Sequence, residues 1–404
     1  MGYLNIYLIV LAAVFAGWLL GRLTSSQNSA NPKKATDSFG DYFVGLNYLL
    51  NDEPDEAIDT FIKGIEINSD TIETHLALGA LLRRRGKVDK AIKVHQALLG
   101  RPALGRHFAD STRLQLSRDY IAAGLLDRAE RLLQEILIEN ANANANANAN
   151  AKWDALSLLI TIYQTEKEWE KAIDCAKRLL VNEQYKKDKE LRAAASHYCC
   201  ELSELCLSED KASKAREQIT RAFIFDRGNV RASLLLAQIE RRLGNYKPAI
   251  KELVRIRTNN PEFISQVLGP LAECYAELEN MSEYEKLLTN TLHDEPNISV
   301  VLALLEMVKS RSGDEAAIEF LNEYLTKKPS LIGLVELLRL QIPNAETAIS
   351  SNLNLLQQMI NKLLQKSAAY QCNHCGYESR SLYWLCPSCQ KWDKIKPILE
   401  ADSV

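Results

Sequence analysis

Residues 41–61, DYFVGLNYLLNDEPDEAIDTF, align without a gap on residues 75–95, HLALGALLRRRGKVDKAIKVH. Gly45, Tyr48, Ala57 and Phe61 of the first fall on Gly79, Leu82, Ala91 and His95 of the second, each pair 34 residues apart. Apolar residues at helical spacing fill both stretches, and a 34-residue period of that kind reads as a repeated pair of helices. Small residues belong where the two helices of a pair cross, and the larger residue one turn on fills the groove between them. Ala129, Ala172, Ala215, Ala249 and Ala317 mark the same site in later units, with Tyr284 in its place once. Their spacing varies, so the extra residues belong in loops or lengthened helices. Pro261, Pro296 and Pro329 stand where three units should end, because proline breaks a helix. The count is about eight repeats, followed by capping helices to about Ser367.

Between Asp41 and Pro329, about 290 residues, this pattern resembles the tetratricopeptide repeat family. The resemblance implies an all-α superhelix whose concave face, lined by the first helix of each pair, binds peptides or partner proteins. Inside it, residues 140–151 read NANANANANANA, neither amphipathic nor apolar, and are expected to form an inserted loop. The chain has 404 residues, 47% of them hydrophobic and 25% charged, which is the balance of a folded protein. A net charge of −3 supplies no basic field for nucleic acid. No phosphate-cradling loop, nucleophile elbow, His-Glu-x-x-His helix or dinucleotide fingerprint occurs, so a binding role is expected rather than an enzyme. His75 and His95 occupy repeat framework positions and read as structural groups, with no neighbouring carboxylates to make them bases.

Tyr3 to Gly21, YLNIYLIVLAAVFAGWLLG, carries no charge. At 1.5 Å per residue such a helix reaches roughly 28 Å, close to the bilayer core thickness of about 30 Å. Arg22, Lys33 and Lys34 follow it and none precedes it, which places the bulk of the chain on the cytoplasmic side, with Tyr3, Tyr7 and Trp18 as interface anchors. Ala13, Gly17 and Gly21 form a small-residue stripe suited to a neighbouring helix. The divisions are an anchor at 1–22, a polar tether at 23–38, the array at 39–367 and a small domain at 368–404.

That last domain holds Cys372-Asn-His-Cys375 and Cys386-Pro-Ser-Cys389. Each Cys-x-x-Cys turn aims two thiolates at one point, and two such turns make the tetrahedral set that zinc or iron accepts. Cys372, Cys375, Cys386 and Cys389 are the expected ligands of one ion, with no open coordination position for hydrolysis and with His374 outside the set. So small a segment cannot bury enough apolar surface to fold alone, so the ion is expected to supply much of its folding free energy. Cys175, Cys199, Cys200, Cys206 and Cys274 read as small buried helix residues in a reducing compartment.

Cys372 to Tyr377 and the Cys-Pro-x-Cys turn are similar to rubredoxin knuckles, with Gly376 free to adopt positive φ and bring N–H groups toward sulfur. The segment departs from electron-transfer rubredoxins in its short spacer and in Gln390, which stands where they carry glycine; both count against redox function. With the anchor and repeats before it, the string Leu382-Tyr-Trp-Leu-Cys-Pro-Ser-Cys389, Trp392 and the tail Ile395-Lys-Pro-Ile398 resemble the lipopolysaccharide assembly protein B family of Gram-negative bacteria. The resemblance implies an inner-membrane adaptor that directs the protease FtsH to degrade LpxC, the deacetylase committing carbon to lipid A, with a further membrane regulator acting through the anchor. A membrane-tethered scaffold for envelope-synthesis enzymes and a rubredoxin-type electron carrier are the alternatives. Leu382, Tyr383, Trp384, Leu385, Trp392, Ile395 and Ile398 are more apolar surface than two knuckles can cover, so the ribbon is expected to pack on the repeats.

Overall fold

The computed structural model describes residues 72–101, 104–141, 149–294 and 296–398, together with Val44, Tyr48, Glu56 and Thr60. The expected membrane helix, its tether and, those four residues apart, the first repeat lie outside the described residues. Among the described residues no helix is long and apolar enough to cross a membrane.

The helices form consecutive A and B partners. They are α1 (Ile72–Arg84) with α2 (Val88–Leu99), α3 (Arg106–Ala122) with α4 (Leu126–Ala141), and α5 (Ala149–Glu166) with α6 (Trp169–Leu180). Then come α7 (Lys189–Ser208) with α8 (Ala212–Phe225), α9 (Val230–Arg242) with α10 (Tyr246–Asn259), and α11 (Ile264–Glu277) with α12 (Met281–Asp294). The seventh pair is continuous as α13 (Ile298–Lys327), bent at Gly313, where φ is 84°. After it, α14 (Leu331–Gln341) and α15 (Thr347–Leu364) end the array.

The alanines that set the period do what their size predicts. Ala91, Ala129, Ala172, Ala215, Ala249 and Ala317 are all 0% exposed, and Tyr284 is 3%. Opposite Ala91, Gly79 leaves room for the His95 ring: a Cβ there would penetrate it. In the fourth pair Ser203 is equally small, and its hydroxyl donates to the Ala215 carbonyl at 3.1 Å. Close helix approach of this kind needs a missing side chain at the crossing point.

A second periodic feature lies two residues before each B helix. Gly86, Gly124, Lys167, Asp210, Gly244 and Glu279 all have positive φ, between 52° and 76°. The next residue's N–H closes the end of helix A: Lys87 donates to the Leu82 carbonyl at 2.9 Å, Leu125 to Tyr120 at 2.8 Å, Glu168 to Tyr163 at 2.8 Å. The same bond recurs from Lys211 to Cys206, Asn245 to Glu240 and Asn280 to Tyr275. This is a Schellman ending, which satisfies carbonyls the helix leaves orphaned and reverses the chain in the fewest residues.

The irregular spacings reside mainly in the A helices. α3, α5 and α7 have 17, 18 and 20 residues, against 13 in α1 and α9. The loop expected over residues 140–151 is corrected at both ends: α4 continues through Ala141 and α5 begins at Ala149. Alanine is the best helix former, and Asn140 donates its amide to the Ile136 carbonyl at 2.8 Å, so the two ends of the tract belong to the flanking helices, while residues 142–148 lie outside the described residues.

The chain divides into two compact units after Leu158, within α5. In the first, Leu82, Ala91 and Val94 make a buried cluster with Leu78. In the second, a core runs from Val230 through Leu253, Phe263, Leu271 and Leu288 to Val300 and Leu304. A three-stranded antiparallel sheet of order β2-β1-β3 follows α15: β1 (Tyr370–Cys372), β2 (Glu378–Ser379) and β3 (Ile395–Pro397). Tyr370 lies opposite both Ser379 and Pro397, and Cys372 opposite Ile395.

Candidate metal centre and its seat on the array

The two cysteine turns are copies of one another in their backbone bonds. Cys372 N–H donates to the Tyr377 carbonyl at 2.8 Å and Gly376 N–H to the Cys372 carbonyl at 2.9 Å. Cys386 N–H donates to the Lys391 carbonyl at 3.0 Å and Gln390 N–H to the Cys386 carbonyl at 2.9 Å. Gly376 has φ 75° and Gln390 φ 56°, so the glutamine takes up the left-handed conformation that glycine takes in the first knuckle. Its side chain compensates locally, donating to the Pro387 carbonyl at 2.9 Å. The replacement of glycine therefore leaves the knuckle backbone intact.

All four sulfurs lie within 4.8 Å of one another. Cys372 Sγ is 3.8 Å from Cys389 Sγ, and Cys375 Sγ is 3.7 Å from Cys386 Sγ. Ligands at 2.3 Å on the corners of a tetrahedron are about 3.8 Å apart, so these spacings suit one zinc- or iron-sized ion. Cys375 is pulled down to about 6, first by the backbone N–H of Tyr377, which favours the thiolate a metal needs. Cys372 and Cys386 are buried, Cys375 is exposed, and His374 stands outside the cluster.

The ribbon is seated in the second unit through two indoles that flank the second knuckle. Trp392 Nε1–H donates to Gln164 Oε1 at 2.8 Å, and the Tyr198 hydroxyl donates to the same oxygen at 2.9 Å. The Trp392 ring stacks on His197, with edge contacts to Tyr198 and Trp169. Trp384 stacks on Phe263, ring centroids 5.8 Å apart, and joins the core of the repeats with Leu382. Of the seven apolar residues expected to be covered, Tyr383 alone stays exposed, at 45%.

Polar contacts frame this aromatic seat. Gln266 Nε2 donates to the Tyr370 hydroxyl at 2.7 Å. Glu190 meets Lys394 at 3.2 Å and Lys391 at 3.4 Å, and the hydrogen bond from Lys394 holds its carboxyl below the usual range. Lys396 lies over the Phe263 ring at 4.8 Å. Arg231, only 5% exposed, spans Glu201 and Glu204 at 2.8 and 2.9 Å and lies 6.0 Å from the Trp392 ring centre. His197 is fully enclosed with neither ring nitrogen hydrogen-bonded. Burial, then the positive charges of Arg231 and Lys396, push its pKa well below 6.5, so it is a neutral aromatic spacer.

Sequence reasoning located the thiols and the surplus apolar surface but not Gln164, Trp169, His197, Arg231 or Phe263, which receive it. Their spacing carries no signal, since each also satisfies the helical pattern. The expectation for His95 is corrected in one respect. Asp119, from the next A helix, pairs with His95 Nδ1 and with Arg83 at 2.6 Å, so a carboxylate neighbour exists. The group is enclosed and ties three helices together, since His95 is 0% exposed. Cys175, Cys199, Cys200 and Cys274 are buried as expected but Cys206 is only half-buried, and burial pushes the Cys199 thiol up to about 11, which makes it inert. A cavity of about 650 Å³ opens between α9 and α11, bordered by Gln238, Arg242, Tyr246 and Glu277, with Arg241 and Glu273 paired across it.

Comparison with known proteins follows the same division. Residues 370–397 match the family described as rubredoxin metal binding domain, and residues 74–106 match the tetratricopeptide repeat. Lipopolysaccharide assembly protein B of Escherichia coli (strain K12) is 31% identical over 400 residues, covering 99% of each chain. The protein of that name from Haemophilus influenzae is 33% identical over 402 residues, covering 97% of this chain and 98% of that one. Among solved structures, a tetratricopeptide repeat protein from Parabacteroides merdae is similar at 15% identity over 68% of this chain, with a TM-score of 0.34.

Proposed function

Because this chain belongs to the lipopolysaccharide assembly protein B family, we propose that it serves lipopolysaccharide assembly as a membrane-tethered adaptor, presenting LpxC to FtsH for degradation and turning over no substrate itself. The observation that carries this reading is the match to that family along 99% of the chain, anchor region, array and ribbon together. A tether in the membrane plane raises the effective concentration of adaptor and protease, so modest contacts along the array suffice. The cavity between α9 and α11 offers both charge signs and an apolar floor to an extended partner segment.

Cys372, Cys375, Cys386 and Cys389 would hold one zinc or iron ion, which supplies a cross-link between the knuckles and folding free energy to a ribbon too small to fold alone. The chain's own residues do the rest. Trp384 and Trp392 lock the knuckle to α5, α7 and the turn before α11, and Gln164 fixes the indole's orientation. The insertion of the second knuckle's flanking indoles into the repeats supports a structural ribbon over an electron carrier.

The test is the steady-state level of LpxC in cells depleted of this protein, beside cells carrying Cys372→Ser and Cys386→Ser. A rise in all three supports an adaptor that depends on its ribbon. An unchanged level on depletion overturns the reading, and recovery of envelope-synthesis enzymes without a protease would then favour the scaffold.

A further inference from the structure

The four thiols of the ribbon are alike as ligands and unlike in their access to solvent. Cys372 and Cys386 are 1% and 0% exposed and Cys389 is half-buried, whereas Cys375 is exposed. Its neighbours Asn373, His374 and Gly376 are exposed as well, so the tip of the first knuckle faces water. In the array, Cys175, Cys199, Cys200 and Cys274 are buried and Cys206 is half-buried, which leaves Cys375 as the one exposed thiol among the described residues. On the other knuckle, Cys386 Sγ lies 3.7 Å from it. An accessible thiolate beside a screened one is the pairing that oxidant-sensing cysteines share.

We propose that Cys375 is a site of oxidation by peroxides and that Cys386 is the thiol that resolves it, so that oxidation opens the metal set and frees the ribbon from its seat. The Cys375 thiolate takes one oxygen from hydrogen peroxide and becomes a sulfenic acid, and hydroxide departs. The Cys386 thiolate then attacks that sulfur, forming the disulfide and expelling a second hydroxide. Two electrons have passed from the thiolates to the peroxide. Sulfurs in a disulfide are about 2 Å apart, so the pair must close further than a shared ion allows. Cys372 and Cys389 are left, half of the tetrahedral set that holds zinc. The change reaches the array through the second knuckle, because Cys386 lies between Trp384 and Trp392, the indoles stacked on Phe263 and His197. A thiol reductant reverses the disulfide and restores the set.

The experiment treats the zinc-loaded, full-length chain in detergent with hydrogen peroxide. It follows zinc release with a chromogenic chelator, the seat by tryptophan emission, and the modified thiols by peptide mapping after brief oxidation and blocking of free thiols. Release of zinc with a red shift and a Cys375–Cys386 disulfide is expected, and dithiothreitol with zinc should reverse both. Cys375→His keeps four ligands of a kind zinc accepts. It should release zinc at least tenfold more slowly than Cys389→His, which retains the exposed thiol. Equal rates for the two variants, a first disulfide that omits Cys375, or zinc release with unshifted emission overturns the proposal. If Cys375→His binds no zinc, the peptide map and emission of the parent chain decide.

Discussion

The indole of Trp392 lies flat on the imidazole of His197, ring centroids 4.9 Å apart and planes 15° from parallel. One ring comes from the metal ribbon and the other from the middle of α7, so this contact joins the two parts of the second unit.

Removing that indole should detach the ribbon. Trp392→Ala is expected to cost about 3–5 kcal/mol, the usual range for a buried aromatic truncated to alanine. Trp392→Phe keeps most of the packing and loses the bond to Gln164, whose oxygen still accepts from Tyr198, so about 1 kcal/mol is expected. Urea melts give both values, and equal melts for Trp392→Ala and the parent would refute the docked arrangement.

Acid should loosen the same contact. His197 titrates well below 6.5 in the folded chain because it is buried beside Arg231 and Lys396. Above pH 6.5 the imidazole is neutral both folded and unfolded and contributes no slope. As pH falls through 6.5 the unfolded chain takes up a proton that the folded chain refuses, and stability declines by up to about 1.4 kcal/mol per pH unit. His197→Phe should remove that share of the slope between pH 7.5 and 5.5.

Loss of the thiolate set should be felt in the repeats. Cys386→Ser is expected to abolish stoichiometric metal and, with it, the ordered seat of Trp384 and Trp392. Metal analysis and a red shift of tryptophan emission report the two effects. Bound metal with an unshifted spectrum would show that three thiols suffice.

The turn residues offer a gain of stability. Lys167, Asp210 and Glu279 hold φ of 60°, 56° and 52°, where a side chain costs about 1–2 kcal/mol, partly offset by the freedom glycine adds to the unfolded chain. Lys167→Gly, Asp210→Gly and Glu279→Gly should each stabilise by about 0.5–1 kcal/mol. Gly124→Ala, at φ 73° with open space around it, should destabilise by about 1 kcal/mol through backbone conformation alone.

Gly79 tests the crossing point itself. A methyl there meets the ring of His95, which Asp119 holds in place, so Gly79→Ala should cost about 1–3 kcal/mol. A neutral effect would mean that α1 and α2 can separate freely.

Much of this was legible in the order of residues. The alanines from Ala91 to Ala317 announce the helix pairs because a helix crossing leaves room for one residue size, and that constraint repeats with the chain. The thiol cluster is legible because each knuckle is closed by bonds between residues four and five apart. The turns were half visible: glycine marks Gly86, Gly124 and Gly244, but Lys167, Asp210 and Glu279 adopt the same conformation with no compositional sign, because the helix reversal and its Schellman bond impose it.

Sequence by itself determined the repeat, its small crossing residues, the four thiols and the excess of apolar side chains in the ribbon, since each is a local or periodic property. Tertiary structure alone decided where that excess goes. Gln164, His197 and Phe263 lie far from Trp384 and Trp392 along the chain, and only the stacking of successive helix pairs brings them to one surface, where burial makes a histidine neutral and an indole into an anchor.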